Sequence, residues 1–236
     1  MQQKVIWVTG ASTGIGKEIA TAFSKAGHIV VISARRKSRL AAIASEIKFA
    51  GREASAFVCN VASERSVHST AKRIREKYGK IDALINNAGV TIFKSILETK
   101  IPDFDNVVNT NLRGTFLCIK AVLPFMIKNK KGHIINIISV SANTVFEEGA
   151  AYSASKAGTL ALTNVLRKEV RRFNIKVSSI LPGAVETPMW DSKSRQKYHS
   201  KMMSPADIAQ IALNIFNQPK KVLIEDIVVR PIKGDI

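Results

Sequence analysis

Tyr152 and Lys156 stand four positions apart, and Ser139 lies thirteen positions before the tyrosine, a spacing that suits acid–base chemistry. The sequence predicts a helix over residues 150–172, and side chains at i and i+4 share one face of a helix. A free phenol has a pKa of about 10, which is too high for proton exchange near neutral pH. A neighbouring ammonium group favours the phenolate and lowers that pKa. The pair is therefore predicted to donate and accept a proton at an alcohol or carbonyl oxygen.

The amino-terminal region has the pattern of a strand, a glycine-rich turn and a helix. Residues 4–9 form an apolar run, Gly10, Gly14 and Gly16 follow, and a helix is predicted over 15–26. Such a turn lets the backbone approach a pyrophosphate, and the helix N-terminus supplies free N–H groups and partial positive charge. The spacing G-x-x-x-G-x-G differs from the usual G-x-G-x-x-G fingerprint. The pattern still predicts a dinucleotide site, because the turn stands between a strand and a helix.

Further motifs follow in order along nearly the whole chain. Each is modest alone, but together they resemble the short-chain dehydrogenases/reductases. The motifs are Thr9-Gly10-x-x-x-Gly14-Ile15-Gly16, Asn86-Asn87-Ala88-Gly89, Asn111, Ser139, Tyr152-x-x-x-Lys156 and Pro182-Gly183. The resemblance implies an oxidoreductase that acts on CH–OH groups with a nicotinamide dinucleotide.

The resemblance also implies a role for each member of the catalytic set. Tyr152 is expected to be the general acid in carbonyl reduction and the general base in alcohol oxidation. Lys156 is expected to lower the pKa of that phenol and to hydrogen-bond the nicotinamide ribose. Ser139 is expected to orient the substrate oxygen, and Asn111 to hold a water molecule that links Lys156 to solvent. The hydride chemistry belongs to the cofactor, and the protein supplies position and charge.

The residues after the second predicted strand favour a phosphorylated dinucleotide. A binder of the non-phosphorylated form is expected to place an acidic residue here for the ribose hydroxyls, whereas this chain has Ala34, Arg35 and Arg36. Forked guanidinium groups suit a 2′-phosphate. The predicted cofactor is therefore NADP(H). Arg35 is preferred over Arg36, because it directly follows Ala34, the position of the family's acidic residue.

The resemblance places the other cofactor contacts at strand ends. Asn60-Val61 stands where members often have Asp-Val beside the adenine, and asparagine keeps a carbonyl acceptor. Thr13 stands where some members that use a phosphorylated cofactor have a second basic residue. The predicted cofactor contacts are Gly10, Ser12, Thr13, Gly14, Ile15, Gly16, Arg35, Arg36, Asn60, Val61, Asn87, Ala88, Gly89, Tyr152, Lys156, Pro182, Gly183, Val185 and Thr187.

Strand-like and helix-like segments alternate along the chain. This alternation predicts a parallel sheet wrapped by helices on both faces. The predicted fold is α/β, a single doubly wound Rossmann-type domain over residues 1–236 with a seven-stranded parallel sheet. The predicted strands are 4–9, 28–33, 54–59, 81–86, 133–138, 175–181 and 222–229, and the predicted helices are 15–26, 37–50, 63–78, 102–129, 150–172 and 204–217.

Residues 187–203 break this alternation. They are polar, basic and loop-like, and they follow the carboxyl end of a strand, where ligands bind in open α/β sheets. The segment is predicted to be a substrate lid, in which Met189 and Trp190 join Ser139 and Tyr152 in binding the substrate. A merely exposed loop is the alternative.

Composition narrows the class of protein. A chain of 236 residues that is 46% hydrophobic suits one folded domain. No apolar run approaches the ~20 residues of a membrane span, and the first strand begins too early for a signal peptide, so a cytoplasmic protein is expected. Cys59 and Cys118 are predicted to be small core residues in a reducing compartment. No metal-ligand spacing is present, so no metal is expected.

The formal net charge of +18 is unusually basic. It predicts either attraction to an anionic partner or merely solvated helix faces. Aromatic residues make up only 6% of the chain, which argues against nucleic-acid binding. In relatives the long helices 102–129 and 150–172 pair with their copies across a two-fold axis, so a homodimer or homotetramer is expected.

Three hypotheses about the function remain open, and two of them differ in the substrate. Residues 224–231 lack the glycine pair of many fatty-acid-type reductases in this family and look more like members that oxidise 3-hydroxy acids. A carboxylate would suit the lid residues Lys193, Arg195 and Lys197. The alternative is a 3-oxoacyl carrier-protein reductase, with an acidic carrier protein docked on residues 128–131 and on Arg171 and Arg172. A catalytically idle dinucleotide sensor, or a basic nucleic-acid-binding relative, is the third hypothesis.

Overall fold

Seven strands form one parallel sheet in residues 3–236, the part of the chain that the computed structural model describes. The predicted seven-stranded α/β fold is confirmed. The strand order is β3-β2-β1-β4-β5-β6-β7, and because it reverses between β1 and β4, their carboxyl ends flank the crevice where ligands bind. The strands are β1 (Val5–Thr9), β2 (Ile29–Ala34), β3 (Ala54–Val58), β4 (Ala83–Asn86), β5 (Gly132–Ile137), β6 (Ile175–Pro182) and β7 (Asp226–Val229).

Helices cover both faces of the sheet, as the alternation of segments predicts. The helices are α1 (Gly14–Lys25), α2 (Lys37–Phe49), α3 (Glu64–Tyr78), α4 (Ile101–Val108), α5 (Gly114–Lys128), α6 (Ala150–Val170), α7 (Ser192–Tyr198) and α8 (Pro205–Phe216). Helices α1, α2 and α8 contribute to one hydrophobic core, and α3, α5 and α6 contribute to the other. Helix α1 follows the carboxyl end of β1 and α6 follows that of β5, so both helices begin at the carboxyl edge of the sheet.

Strand β1 shows why both faces need a cover. Ile6 and Val8 belong to one core, and Val5 and Trp7 belong to the other, because successive side chains of a strand point to opposite faces. All four are fully buried. Burying an aliphatic side chain of this size stabilises a fold by roughly 1.5–3 kcal/mol.

A row of buried polar side chains ties α6 to the sheet. Asn86 Nδ2 donates to Asn136 Oδ1 at 2.9 Å, and Asn136 Nδ2 donates to Thr163 Oγ1 at 2.8 Å. On α6, Thr163 Oγ1 donates to the Thr159 carbonyl and Thr159 Oγ1 donates to the Ser155 carbonyl, both at 2.7 Å. All five residues are buried, and a buried polar group left without its partner is costly. The row therefore fixes the position of α6 about its own axis.

The predicted continuous helix over 102–129 is wrong in its middle. Between α4 and α5 the chain forms a π-helical segment, Asn109–Arg113. Gly114 follows it and packs so closely on Val61 that a Cβ would lie 2.9 Å from Val61 Cγ2. Single π-helical turns inside α-helices are frequent at functional sites, and this one carries Asn111.

Two other predicted segments differ from the structure. Residues 187–203 are not wholly loop-like, because the side chain of Asp191 accepts N–H groups of Lys193 and Ser194 and caps α7. The last predicted strand, 222–229, is shorter in the structure, where only β7 pairs with β6.

Candidate active site

The glycine-rich turn after β1 is locked to the end of β4. Asn87 Nδ2 donates to the carbonyls of Thr9 and Gly10 at 3.1 and 3.2 Å, and Thr9 Oγ1 accepts the backbone N–H groups of Asn87 and Ala88, both at 3.1 Å. Gly10 has a φ of +65°, and a Cβ there would lie 2.6 Å from Ala88 Cα. A Cβ on Gly16 would lie 2.4 Å from Asn87 Nδ2. The structure thus brings together two segments that the sequence predicts to hold the dinucleotide.

The N-terminus of α1 opens on this turn. Thr13 occupies the N-cap position without a side-chain capping hydrogen bond, and the first turn of the helix has no acidic residue. A Cβ on Gly14 would lie 3.2 Å from Thr187 Cγ2, so the segment after β6 borders the turn. Uncapped amide groups and partial positive charge at a helix N-terminus suit a phosphate group. These observations fit a dinucleotide bound through its pyrophosphate.

Tyr152, Lys156 and Ser139 converge at the carboxyl edge of the sheet. Lys156 is buried, its Nζ donates to the Ile137 carbonyl at 3.0 Å, and Nζ lies 5.5 Å from the centroid of the Tyr152 ring. Ser139 lies close enough to the Tyr152 phenol to lower its pKa. The Ser139 hydroxyl is also held by Ser141, whose N–H and hydroxyl both lie 3.1 Å from Ser139 Oγ. The arrangement places two hydroxyl groups and an amine around one point.

Asn111 connects the loop after β4 to α6. Its Oδ1 accepts the Val90 N–H and its Nδ2 donates to the Val90 carbonyl, both at 2.9 Å, while Nδ2 also donates to Ser155 Oγ at 2.9 Å. A Cβ on Gly89 would lie 3.4 Å from Asn111 Oδ1 and 3.8 Å from Lys156 Nζ. Asn111 therefore holds the loop beside Lys156. Its predicted role in holding a water molecule stays a prediction.

Arg36 makes the contact with the glycine-rich turn. Its Nη2 lies 3.4 Å from Ser12 Oγ as donor, and both Arg35 and Arg36 are exposed after β2 ends at Ala34. This geometry favours Arg36, whereas Arg35 is the residue predicted from the sequence. Arg36 is the N-cap residue of α2, and the Ala11 N–H donates to the Ser33 carbonyl at 3.1 Å, which brings the glycine-rich turn close to the end of β2.

The end of β3 forms a tight turn. Asn60 is exposed, its Oδ1 accepts the Ala62 N–H at 3.2 Å and its N–H donates to Ser66 Oγ at 3.0 Å. Val61 is buried against Gly114. The amide oxygen of Asn60 thus stabilises its own turn, and the adenine contact of Asn60 and Val61 stays a prediction.

The segment after β6 anchors the lid. The Gly183 N–H donates to a β7 carbonyl at 2.7 Å, and a Cβ on Gly183 would lie 3.0 Å from Pro231 Cδ. Val185 is buried and forms an isolated parallel bridge with Met203. The two ends of the predicted lid are thereby held together. Pro182 is the last residue of β6, and the chain continues from it towards the predicted lid.

Three rings form a row from the phenol to the lid, called here the aromatic row (Tyr152, Phe93 and Trp190). The ring centroids of Phe93 and Tyr152 lie 6.5 Å apart, and those of Phe93 and Trp190 lie 6.0 Å apart with their planes at 24°. Met189 is exposed beside Trp190 on the lid. Met189 and Trp190 were predicted from the sequence to bind the substrate, but Phe93 was not. The position of Phe93 could have indicated its role, because this large apolar residue lies in the loop after the carboxyl end of β4, where ligands bind.

Comparison with known proteins identifies the family. The short chain dehydrogenase family matches residues 4–198. The chain belongs to this family. It is 35% identical over 239 residues to a sepiapterin reductase of Chlorobaculum tepidum, with 98% of each chain covered. It is 37% identical over 240 residues to an uncharacterized oxidoreductase of Staphylococcus saprophyticus, with 98% of this chain and 99% of that protein covered.

A solved structure of a metagenomic short-chain oxidoreductase in complex with NADP is similar over the same span. Its sequence identity to this chain is 34%, its TM-score is 0.86, and the match covers 97% of this chain and 96% of that one. The predicted family is therefore confirmed, and so is its oxidoreductase class. The predicted 3-hydroxy acid subtype stays a prediction.

The Tyr152 phenol is less acidic than the sequence predicts. Burial raises the pKa of Tyr152 above its ordinary value, and Ser139 only partly lowers it. The predicted lowering of this pKa is wrong for the protein alone, because removal of the phenolate from water is the larger influence. Tyr152 therefore carries its proton at neutral pH, which is the state that a general acid needs.

Burial of Lys156 leads to a pH-dependent cost in stability. It lowers the pKa of the amine from 10.5 to about 8, so the unfolded chain binds this proton more tightly than the folded chain. The cost is complete below about pH 8 and is relieved as pH rises towards 10.5. We expect the free energy of unfolding of Lys156→Met, minus that of the wild type, to fall by roughly 2 kcal/mol between about pH 7 and about pH 10.

Urea unfolding of both proteins across this pH range measures the difference. Lys168→Met is the matched control, because Lys168 is an exposed lysine on the same helix, and its difference from the wild type should change little with pH. A Lys156→Met difference that stays constant with pH would show that the amine is not strained by burial.

The two cysteines are core residues. Cys59 and Cys118 are buried free thiols, as predicted, and burial raises the pKa of each. Within residues 3–236, no three His, Cys, Asp or Glu side chains lie together so as to hold a metal ion. Over the same residues, no helix is both long and apolar enough to cross a membrane.

Proposed function

We propose that this chain is an NADP(H)-dependent oxidoreductase that interconverts a carbonyl and an alcohol on a small substrate. The observation that carries the proposal is the meeting of Ser139, Tyr152 and Lys156 beside the glycine-rich turn. A protonated phenol and a second hydroxyl group suit the oxygen of a carbonyl. The sepiapterin reductase relative supports the direction of reduction.

Each catalytic side chain has a defined task in this proposal. The Tyr152 hydroxyl gives its proton to the carbonyl oxygen in reduction and takes it back in oxidation. Ser139 Oγ, positioned by Ser141, hydrogen-bonds the same oxygen and orients it. Lys156, held by the Ile137 carbonyl, stabilises the phenolate that remains. Proton transfer of this kind typically contributes about 10²–10⁴-fold to the rate.

The cofactor site is built from the turn and the strand ends around it. When bound, the nicotinamide cofactor supplies the hydride that the carbonyl carbon accepts. The residues that would hold it are the turn from Gly10 to Gly16, the free amides of α1 and Thr187, with Arg36 beside Ser12 for the 2′-phosphate. The NADP complex of the related metagenomic oxidoreductase supports this choice of cofactor.

We expect Arg36→Ala to raise the KM for NADPH by about 10- to 100-fold, because a hydrogen bond to a charged group is worth roughly 1.5–3 kcal/mol. The KM for NADH should change little, since that cofactor lacks the 2′-phosphate. Arg35→Ala should have the smaller effect of the two. Initial rates with each cofactor at saturating substrate measure these constants.

Arg52→Ala is the charge-matched control for this series. Arg52 is exposed and lies next to the beginning of β2, at the other end of the sheet from Arg36. It removes one positive charge without touching the turn, so both KM values should be retained. A larger rise for Arg35→Ala than for Arg36→Ala would restore the order that the sequence analysis preferred.

The predicted 3-hydroxy acid substrate also has one observation in its favour. Arg195 on α7 is partly buried, and its Nε has no hydrogen-bond partner within the described residues. A guanidinium group in this state suits a carboxylate. The acidic carrier protein, the homo-oligomer, the cytoplasmic location and the single domain over the whole chain stay predictions.

An activity screen tests the proposed function directly. The purified protein is assayed with NADPH and NADH against aldehydes, ketones and acyl thioesters, and with NADP+ and NAD+ against alcohols and 3-hydroxy acids. Turnover of a carbonyl or an alcohol with the phosphorylated cofactor is the expected result. Tight binding of NADPH with no turnover across the screen would support a dinucleotide sensor instead.

A further inference from the structure

Two members of the aromatic row, Phe93 and Trp190, have no part in the proton transfer proposed above. Phe93 stands between Tyr152 and Trp190, and 48% of its surface is exposed, while Met189 on the lid is 44% exposed. Binding sites for small molecules are lined mainly by apolar and aromatic side chains with a few placed polar groups. The exposed Phe93 ring and the exposed Met189 side chain, with the half-buried Trp190 ring of the lid, therefore have the character of a binding surface.

We propose that the aromatic row binds a flat aromatic or heteroaromatic ring that the substrate carries next to its reacting carbonyl. The inference rests on the proposed function, because it assigns a substrate class to the same site. Aromatic rings prefer offset or tilted arrangements with centroids about 4.5–7 Å apart. The centroid distances from Phe93 to Tyr152 and to Trp190, 6.5 and 6.0 Å, fall in this range. A ring from the substrate packs on Phe93 in the same geometry.

Phe93 is a fixed platform for such a ring. Three positions before it, the N–H and carbonyl of Val90 are both held by the Asn111 side chain at 2.9 Å. One position after it, the Lys94 N–H donates to the Glu148 carbonyl at 2.8 Å. A side chain on a segment held at both ends loses little freedom on binding, which favours affinity.

Trp190 belongs to the lid and faces this platform. The backbone N–H of Trp190 donates to the Thr187 carbonyl at 3.2 Å. The lid is also held by a contact between His199 Nδ1 and Glu186 Oε2, which lie 2.8 Å apart. One ring thus stands on the loop after β4 and the other on the lid. A flat substrate ring can pack on the exposed part of Phe93 and extend the row, whereas an acyl chain or a small hydroxy acid has no π face to offer.

A matched pair of ketones tests the inference. In 4-phenyl-2-butanone and 4-cyclohexyl-2-butanone the carbonyl is separated from the ring by two methylene groups, so the ring changes shape without conjugation to the carbonyl. We expect the wild type to favour the phenyl ketone in kcat/KM by about 2- to 10-fold. Phe93→Leu and Trp190→Leu should bring the ratio close to one, mainly through a higher KM for the phenyl ketone.

Phe49→Leu is the control for this substitution. Phe49 is exposed at the C-terminal end of α2, away from the carboxyl edge of the sheet, so the preference should be retained. Thermal melting checks that each variant is folded. A wild-type ratio near one, or a ratio that Phe93→Leu leaves unchanged, overturns the inference.

A binding measurement separates this inference from the proposed function. The sequence has two tryptophans, and Trp7 is fully buried with Nε1 2.8 Å from Ser33 Oγ, so added ligand acts on Trp190 emission. The phenyl ketone should change that emission saturably in the presence of NADP+, and Trp190→Leu should lose the change. If neither ketone is turned over but the emission change is present, the proposed function fails and the ring site stands. An emission change absent from the wild type overturns the ring site.

Discussion

Tyr152→Phe is expected to lower kcat by about 10²–10⁴-fold while the Kd for NADPH stays close to the wild-type value. The variant removes one oxygen, which is the atom that holds the transferred proton in the proposed reaction. The ring remains, so its packing against Phe93 and its position above Lys156 are preserved. Single-turnover rates with NADPH give the loss, and fluorescence titration of NADPH gives the affinity.

Tyr78→Phe is the matched control for this prediction. Tyr78 also loses a hydrogen-bonded hydroxyl, since its oxygen lies 2.7 Å from Ser55 Oγ, but it ends α3 away from the site. Its kcat should remain within about twofold of the wild type, because its hydroxyl bonds Ser55 on β3 and not a residue of the candidate site. If Tyr152→Phe keeps wild-type turnover, the tyrosine has no part in the proton transfer.

Gly10→Ala is expected to lower the free energy of unfolding by about 2–5 kcal/mol and to abolish dinucleotide binding. Two separate costs add at this position. The φ of +65° is a left-handed conformation, and a Cβ would lie 2.6 Å from Ala88 Cα and 2.9 Å from Ala88 N. That backbone cannot move aside easily, because Thr9 Oγ1 holds the N–H groups of Asn87 and Ala88. Urea unfolding and NADPH titration measure the two effects.

Gly51→Ala separates the two costs. Gly51 has a similar φ of +72°, but a Cβ there meets no atom within 4 Å. This variant should therefore lose only the conformational share, about 1 kcal/mol, and should bind NADPH normally. Equal losses in the two variants would mean that the contact between the turn and β4 contributes nothing.

The fold could be predicted because its signals are local and repeated. Residues such as Val5, Ile6, Trp7 and Val8 form a continuous apolar run, which is typical of a strand covered on both faces, and helix-like segments follow each strand. The order of motifs from Gly10 to Pro182 was equally informative about the site. Parallel strands bring their carboxyl ends to one edge, so residues distant in sequence were predicted to meet.

The features that the sequence did not reveal depend on tertiary context. The π-helical segment at Asn111 and the contact of Arg36 with Ser12 follow from packing between elements, which no local pattern encodes. The direction of the pKa shift of Tyr152 was wrong, because the spacing to Lys156 shows proximity but not burial. Phe93 was missed, since an isolated aromatic residue in a loop has no periodicity.

The hydrogen-bonded row of Asn86, Asn136 and Thr163 affects thermal stability and the orientation of the catalytic residues in different ways. Apolar side chains of similar volume at all three positions would fill the same space, and exchanges of this kind for buried polar groups are often neutral or stabilising. They would also free α6 to rotate, and a shift by one residue turns a helix by about 100°. Such a rotation would swing Tyr152 and Lys156 away from the substrate oxygen. Selection for thermal stability alone would therefore not preserve Asn86 and Asn136, although their side chains keep Tyr152 oriented towards the substrate oxygen in the proposed reaction.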